Sequence, residues 1–157
     1  MKASILTLRL NRRAIGVAAL DGESLRMADG RHLTSRRDKT VLAAHRFIYR
    51  LLVDTAPSLV VVDAPATGDG QVTAAILDDI RQTVTNLGIE VLAVRKSELL
   101  DAYGLHPVRS RGDVREIVRS FWPELSNIRG KVEPYAVDAA AAALYAECRL
   151  QLERVVI

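Results

Sequence analysis

Cysteine is almost absent from this chain: Cys148 is the only one among 157 residues. An internal disulfide is therefore impossible, and a zinc site built from cysteines is excluded. Cys148 is expected on the buried side of the last helix, where a free thiol behaves as a small hydrophobe. Aromatic residues are also scarce, with one Trp, four Tyr and two Phe, so the core has to come from Val, Leu, Ile and Ala. That composition suits β-branched strands covered by Ala- and Leu-rich helices. Long apolar runs are missing too. Ser4–Leu8 is too short for a signal peptide and ends against Arg9. Ala136–Ala146, the longest nearly apolar stretch, is far below membrane-spanning length. A cytoplasmic protein with no membrane partner is expected.

What is present fits one domain spanning residues 1–157, with no internal repeat and no linker to divide it. A hydrophobic share of 49% is ample for a core and excludes the disordered and low-complexity classes. The charge balance is mild, at 22 basic against 19 acidic residues, but its distribution is not. Lys2, Arg9, Arg12 and Arg13 open the chain without an acid. Arg31, Arg36, Arg37, Lys39, Arg46 and Arg50 follow against Asp38 alone. Such clusters are either the footprint of a polyanionic partner or a solvated arginine-rich surface.

The periodicity gives an order of βββ-α-β-α-β-α-α. Strands are read over Ser4–Leu10, Ala14–Leu20 and Ser24–Ala28, with Asp21-Gly22 as a hairpin turn. Val41, Leu42, His45, Ile48, Leu51 and Leu52 recur at helical spacing from Lys39 to Val53. The β-branched run Leu59–Val62 ends at Asp63, as a strand buried on both faces should, and residues 64–70 form a loop beyond it. A helix over Gln71–Leu87 and a strand over Glu90–Val94 follow. Ser97 is read as the cap of a short turn of helix to Tyr103, not counted in that order. Ser110 with Asp113 reads as the capping box of a helix through Arg119. Val137 to about Val155 is the last helix. This alternation predicts parallel pairings with right-handed crossovers after the initial meander, hence an α/β fold.

In open α/β sheets ligands bind at the carboxyl ends of the central strands. Arg9, Asp63 and Asp138 should meet there, with the loop 64–70 as a rim. The arrangement resembles the RNase H-like superfamily, and within it the RuvC-type Holliday-junction resolvases and the YqgF-type family. Ile5–Leu20 (ILTLRLNRRAIGVAAL) is similar to that family's first hairpin and Leu59–Ala64 (LVVVDA) to its fourth strand. Ala102–Val118 (AYGLHPVRSRGDVREIV) looks like its basic loop and helix. Val137–Tyr145 (VDAAAAALY) looks like the helix that supplies its last acids. The resemblance spans residues 3–150 and rests on the joint order of these segments. It implies a mixed five-stranded sheet with helices on both faces.

The departures bear on function. Arg9 stands where the family's first-strand Asp is expected, and Ala141 where the second acid of the last helix is expected. Asp63 and Asp138 alone carry over, as residual catalytic or metal-binding acids. Two-metal cleavage holds two Mg²⁺ about 3.5–4 Å apart on shared carboxylates. Two carboxylates are too few for that, and each arginine added at 4 Å costs about 4 kcal/mol per unit charge pair at an effective dielectric near 20. The sequence therefore points to a degenerate site in which the Arg9 guanidinium replaces the metals, hydrogen-bonding Asp63 and Asp138. The alternative is that Arg9 faces solvent and leaves a one-metal site.

Other residues carry weaker readings. His45 is read as a packed core residue, His32 and His106 as loop residues at no ligand spacing. Glu133 is a substitute acid in reserve, and His106 a substitute ligand. Asp69 is read as a turn former, Trp122 as helix-end packing with base stacking as the alternative. Ser110 lacks a paired base, so serine nucleophile chemistry is unsupported. The function implied is nucleic-acid binding to branched or double-stranded DNA or RNA by an impaired nuclease relative. Arg12, Arg13, Lys96, Arg109 and Arg111 are the candidate phosphate contacts. The resemblance also implies a homodimer, and Mg or Mn as cofactor if the site is active. Two other readings stay open: an active metal-dependent endonuclease on Asp63 and Asp138, and a protein-interaction module with no nucleic-acid role.

Overall fold

Every position of β1 (Ile5–Leu10) is buried, because the strand lies in mid-sheet with helices over both faces. The computed structural model describes residues 1–33, 37–64, 70–104 and 110–156. β1 pairs antiparallel with β2 (Ala14–Asp21), and β2 antiparallel with β3 (Ser24–His32). On its other side β1 pairs parallel with β4 (Leu59–Asp63), and β4 parallel with β5 (Glu90–Val94). The strand order is thus β3-β2-β1-β4-β5 in one mixed sheet, the α/β architecture that the periodicity predicts.

Alternation along the strands divides the core in two. Leu6, Leu8, Val60 and Val62 face one side, where α1 (Arg37–Thr55) and α2 (Gln71–Asn86) cover them with Ala44, Ile48, Ile76 and Ile80. Ile5 and Val61 face the other, under α3 (Lys96–Ala102), α4 (Arg111–Phe121) and α5 (Glu133–Val156). A 3-10 turn, Pro123–Asn127, links α4 towards α5. No helix among the described residues is long and apolar enough to cross a membrane.

The start of α5 lies against the sheet through backbone contact. A Cβ added to Gly16 would stand 1.9 Å from the Tyr135 carbonyl oxygen, and one on Gly30 would stand 2.8 Å from Val132 Cβ. Gly16 pairs with Arg9 on one side and Gly30 on the other, so a strip of glycine backbone runs under the helix start. Ala139 to Ala143 are all fully buried, and their small side chains hold the next turns equally close. The helix begins four residues before the expected Val137, because Pro134 is tolerated in a first turn that has no use for its missing N–H.

Several other expectations are corrected. β3 runs to His32 rather than Ala28, since an edge strand needs only its β2 partners and tolerates Asp29 and Gly30. His32 is accordingly a strand residue. Cys148 is exposed: the buried stripe of α5 passes through Ala143, Ala146 and Glu147, which turns position 148 outward. His45 is half-exposed, and its Nδ1 lies 2.8 Å from Asp79 Oδ2, tying α1 to α2. Ser97 lies inside α3, whose N-cap is Arg95 without a side-chain bond. Trp122 is buried at the end of α4, edge-on to Phe121 at 4.8 Å, which is the packing role.

The Gly16 contact gives a direct prediction. Gly16→Ala should cost about 3 kcal/mol or more, beyond ordinary overpacking because the obstacle is backbone. Gly22→Ala, at φ 61 with nothing nearby, should cost only about 1–2 kcal/mol. Urea denaturation of the two variants measures the difference.

Candidate functional site

Ser110 fixes how α4 begins. Its hydroxyl accepts from the Asp113 amide at 3.3 Å while the Asp113 carboxylate accepts from the Ser110 amide at 3.1 Å, the reciprocal cap that the sequence predicts. With that start, Arg111, Arg115 and Arg119 fall four residues apart and project as one row. Like charges at this spacing destabilise an isolated helix, so the row requires acids from elsewhere.

It finds three. Arg111 donates through NH1 and NH2 to Asp63 Oδ2 and Oδ1 at 2.8 and 2.9 Å. Arg115 donates through Nε and NH2 to Asp138 Oδ1 and Oδ2 at 2.8 and 2.9 Å. Arg119 donates to the two oxygens of Glu133 at 2.8 and 3.0 Å. The partners run from Asp138 back to Glu133 as α4 runs forward, so α4 and α5 are antiparallel along this row. Asp63 comes from the end of β4 and is fully buried; Asp138 is nearly so. Planar guanidinium forks matching both oxygens of a carboxylate are the strongest form of this pairing.

Arg9 enters from the end of β1, opposite Asp63 in the parallel register. It is only 7% exposed, so it does not face solvent. Its Nε lies 3.5 Å from Asp138 Oδ2 and 3.8 Å from Asp63 Oδ2, between the two acids. The expected hydrogen bonds from Arg9 to these carboxylates are absent, however. NH1 is held by the carbonyls of Leu10 at 2.6 Å and Asp63 at 3.5 Å, and buried Nε has no hydrogen-bond partner. The strand-end carbonyls capture the guanidinium before it can turn its fork to the acids. Arg111 and Arg115 make the bonds instead.

Burial works against the charge on Arg111, yet the hydrogen bonds and negative charge of Asp63 more than reverse it and raise its pKa above the ordinary value. For Arg115 the bond to Asp138 leads and likewise raises it. Three guanidiniums thus surround two carboxylates, an excess of one positive charge. The resemblance read from the sequence implies divalent metal at this place, and the residues do not fit it. Both oxygens of each Asp are engaged by a fork, and no group of three His, Cys, Asp or Glu able to hold a metal occurs among the described residues. Glu133 is occupied by Arg119. Ala141 is fully buried, and its carbonyl accepts from the Tyr103 hydroxyl at 2.7 Å. Burial holds that phenol well above its usual range, so it stays a donor.

Beside the acids, at the carboxyl ends of β4 and β5, opens a groove of about 800 Å³. Its described lining includes Arg9, Arg81, Arg95, Lys96 and Arg111 over an apolar floor of Val62, Ala64, Leu77 and Val94. Of the expected phosphate contacts, Lys96 is exposed on this groove, and Arg111 borders it with its fork committed to Asp63. Arg12 and Arg13 are exposed on the β1–β2 turn. Arg109, His106 and Asp69 lie outside the described residues. Sequence reading missed Arg115, Arg119, Arg81 and Arg95. The four-residue spacing of Arg111, Arg115 and Arg119 was the available signal, an unbalanced basic row asking for external acids.

No protein-family model matches the sequence, and no curated protein matches it. Solved structures do. Thermus thermophilus RuvC in complex with a Holliday junction substrate superposes with a TM-score of 0.71 at 15% identity, covering 89% of each chain. The yeast mitochondrial Holliday junction resolvase gives 0.62 at 11% identity, over 93% of this chain and 77% of the other. The Fowlpox virus resolvase, in complex with junction DNA, gives 0.57 at 14%, over 90% and 99%. The chain therefore has the RuvC-like fold of these resolvases, as the sequence resemblance implies.

Asp63 should be a structural residue. Asp63→Asn, which leaves Arg111 and Arg9 facing a neutral amide, should cost about 3–5 kcal/mol of stability. Paired with Arg111→Gln in a double-mutant cycle, it should show a coupling above about 1 kcal/mol by urea denaturation.

Proposed function

We propose that this protein binds nucleic acid through phosphate contacts at the carboxyl ends of β1, β4 and β5, as a RuvC-like relative of the resolvases without metal-dependent cleavage. One observation carries the reading: the two acids at the site, Asp63 and Asp138, are each closed by a bidentate guanidinium, while the neighbouring groove is lined by cations. A divalent ion would have to displace Arg111 and Arg115 and then sit beside three positive charges. A phosphodiester meets the opposite situation, since Arg81, Arg95 and Lys96 are exposed along the groove, Arg95 with only a 3.8 Å contact to Glu98, and Arg12 and Arg13 extend the same edge. Contacts of this kind position a backbone without reading its sequence. The resolvases with this fold that hold Holliday junctions support a branched or double-stranded DNA ligand, with RNA as the alternative.

Residues 1–157 act in this reading as one RuvC-like domain, built on a single sheet shared by both core clusters. A homodimer belongs to the proposal as well, on the resemblance to the resolvases. Sedimentation at micromolar concentration should give a dimer; a monomeric parent would remove this part.

The deciding assay is a gel shift with a labelled four-way junction, a duplex and single-stranded RNA, with Mn²⁺ or Mg²⁺ and with chelator. Binding without cleavage is expected. Engagement of Arg12, Arg13, Arg81, Arg95 and Lys96 predicts a slope of about −4 to −5 in log affinity against log salt, near 0.9 per contact on duplex. Cleavage that requires metal and Asp63 would instead make the protein a working endonuclease. Neither shift nor cleavage would leave a protein-interaction role.

A further inference from the structure

A second basic cleft lies on the opposite face of the sheet from the acids. It is a concavity of about 260 Å³ between α1 and the edge strand β3, lined among the described residues by Arg31, Ala43, Arg46, Phe47 and Arg50. Ala43, Arg46, Phe47 and Arg50 fall on one side of α1 by their three- and four-residue spacing. Arg31 pairs with Ile15 across the strands and so points to the same side. Its guanidinium carbon sits 5.5 Å over the Phe47 ring centre. This cation–π contact holds the guanidinium beside the ring, where its N–H groups can still meet a ligand.

Arg31, Arg46 and Arg50 are exposed and line one concavity, so their positive charge is presented together to an anion. No ion pair joins Arg31, Arg46 or Arg50 to an acid among the described residues. The nearest acid on the strand, Asp29, turns its carboxylate to the Gly30 amide at 2.8 Å. Bidentate donors around a pocket of this size suit a phosphate group.

The position of the cleft decides between a small anion and a polymer. The end of β3 is tied to the β1–β2 turn, where the Leu33 amide donates to the Arg13 carbonyl at 2.9 Å. Arg12 and Arg13 therefore stand between the groove by the acids and this cleft. Exposed Lys96, Arg95, Arg12 and Arg13 lie at the same strand ends as the close of β3, on the way from the groove to the cleft. A small anion has no need of cations along that way.

We propose that the Arg31–Arg46–Arg50 cleft binds the phosphodiester backbone of a second duplex segment, an arm of the same nucleic acid held at the groove. This rests on the nucleic-acid reading above. The test compares parent protein, Arg46→Gln/Arg50→Gln, the groove variant Arg95→Gln/Lys96→Gln, and a charge control, Arg149→Gln/Arg154→Gln, at the far end of α5. Affinity for a four-way junction is followed across a salt series, with circular dichroism to confirm folding. The cleft variant should weaken junction binding about tenfold at low salt and flatten the log–log salt slope by about 2, near 0.9 per lost contact. It should lose less on a duplex too short to leave the groove, while the control stays close to parent. A cleft variant that binds as the parent does, while the groove variant fails, overturns the cleft and leaves the nucleic-acid reading standing. Equal losses in cleft variant and control also overturn it, since net charge would then explain the effect. A parent that binds no nucleic acid ends both proposals.

Discussion

The molecule depends on one row of charge. Arg111, Arg115 and Arg119 would repel each other on an isolated helix, and a buried polar group such as Asp63 or Asp138 is costly without hydrogen-bond partners. Each set makes the other tolerable. Because Asp63 is on the sheet and Asp138 and Glu133 are on α5, the three forks join β4, α4 and α5 in one alignment. Buried pairs of this kind add little net stability over apolar packing, but a broken one is expensive. Their contribution is to alignment more than to strength.

That alignment has a second support in the sheet itself. Gly16 admits the backbone of α5, and Gly30 the Val132 just before it, at distances no Cβ would allow, and this brings Asp138 within reach of both Arg9 and Arg115. The glycines set the depth of the helix and the arginines set its position along α4. The acids of the site are therefore held by the fold from two directions, which leaves them little freedom to take up other ligands.

Much of this was legible in the sequence. Apolar alternation with the β-branched run into Asp63 gave the strands, helical spacing gave the helices, and Ser110 with Asp113 gave the start of α4. The meeting of Arg9, Asp63 and Asp138 followed from strand order. What escaped was rotational detail. Whether Arg9 or Arg111 would hydrogen-bond Asp63 depends on side-chain reach and on carbonyls competing at the strand end, which no periodicity encodes. The same limit misplaced Cys148, where a single step around the helix exchanges inside for outside. Residues 29–32 failed for another reason: turn-forming types at an edge strand are outvoted by hydrogen bonds from a well-ordered neighbour.

The interlocked forks also constrain how such a site can change over generations. Replacing Arg111 or Arg115 alone strands a buried carboxylate; replacing Asp63 or Asp138 alone strands a cation. Each such intermediate gives up about 3–5 kcal/mol from a total that is commonly about 5–15 kcal/mol. A lineage leaving this arrangement for a metal-holding one would have to change several positions almost together. The row of arginines acts as a ratchet on descent, easier to accumulate beside spare acids than to remove once those acids are needed to hold it.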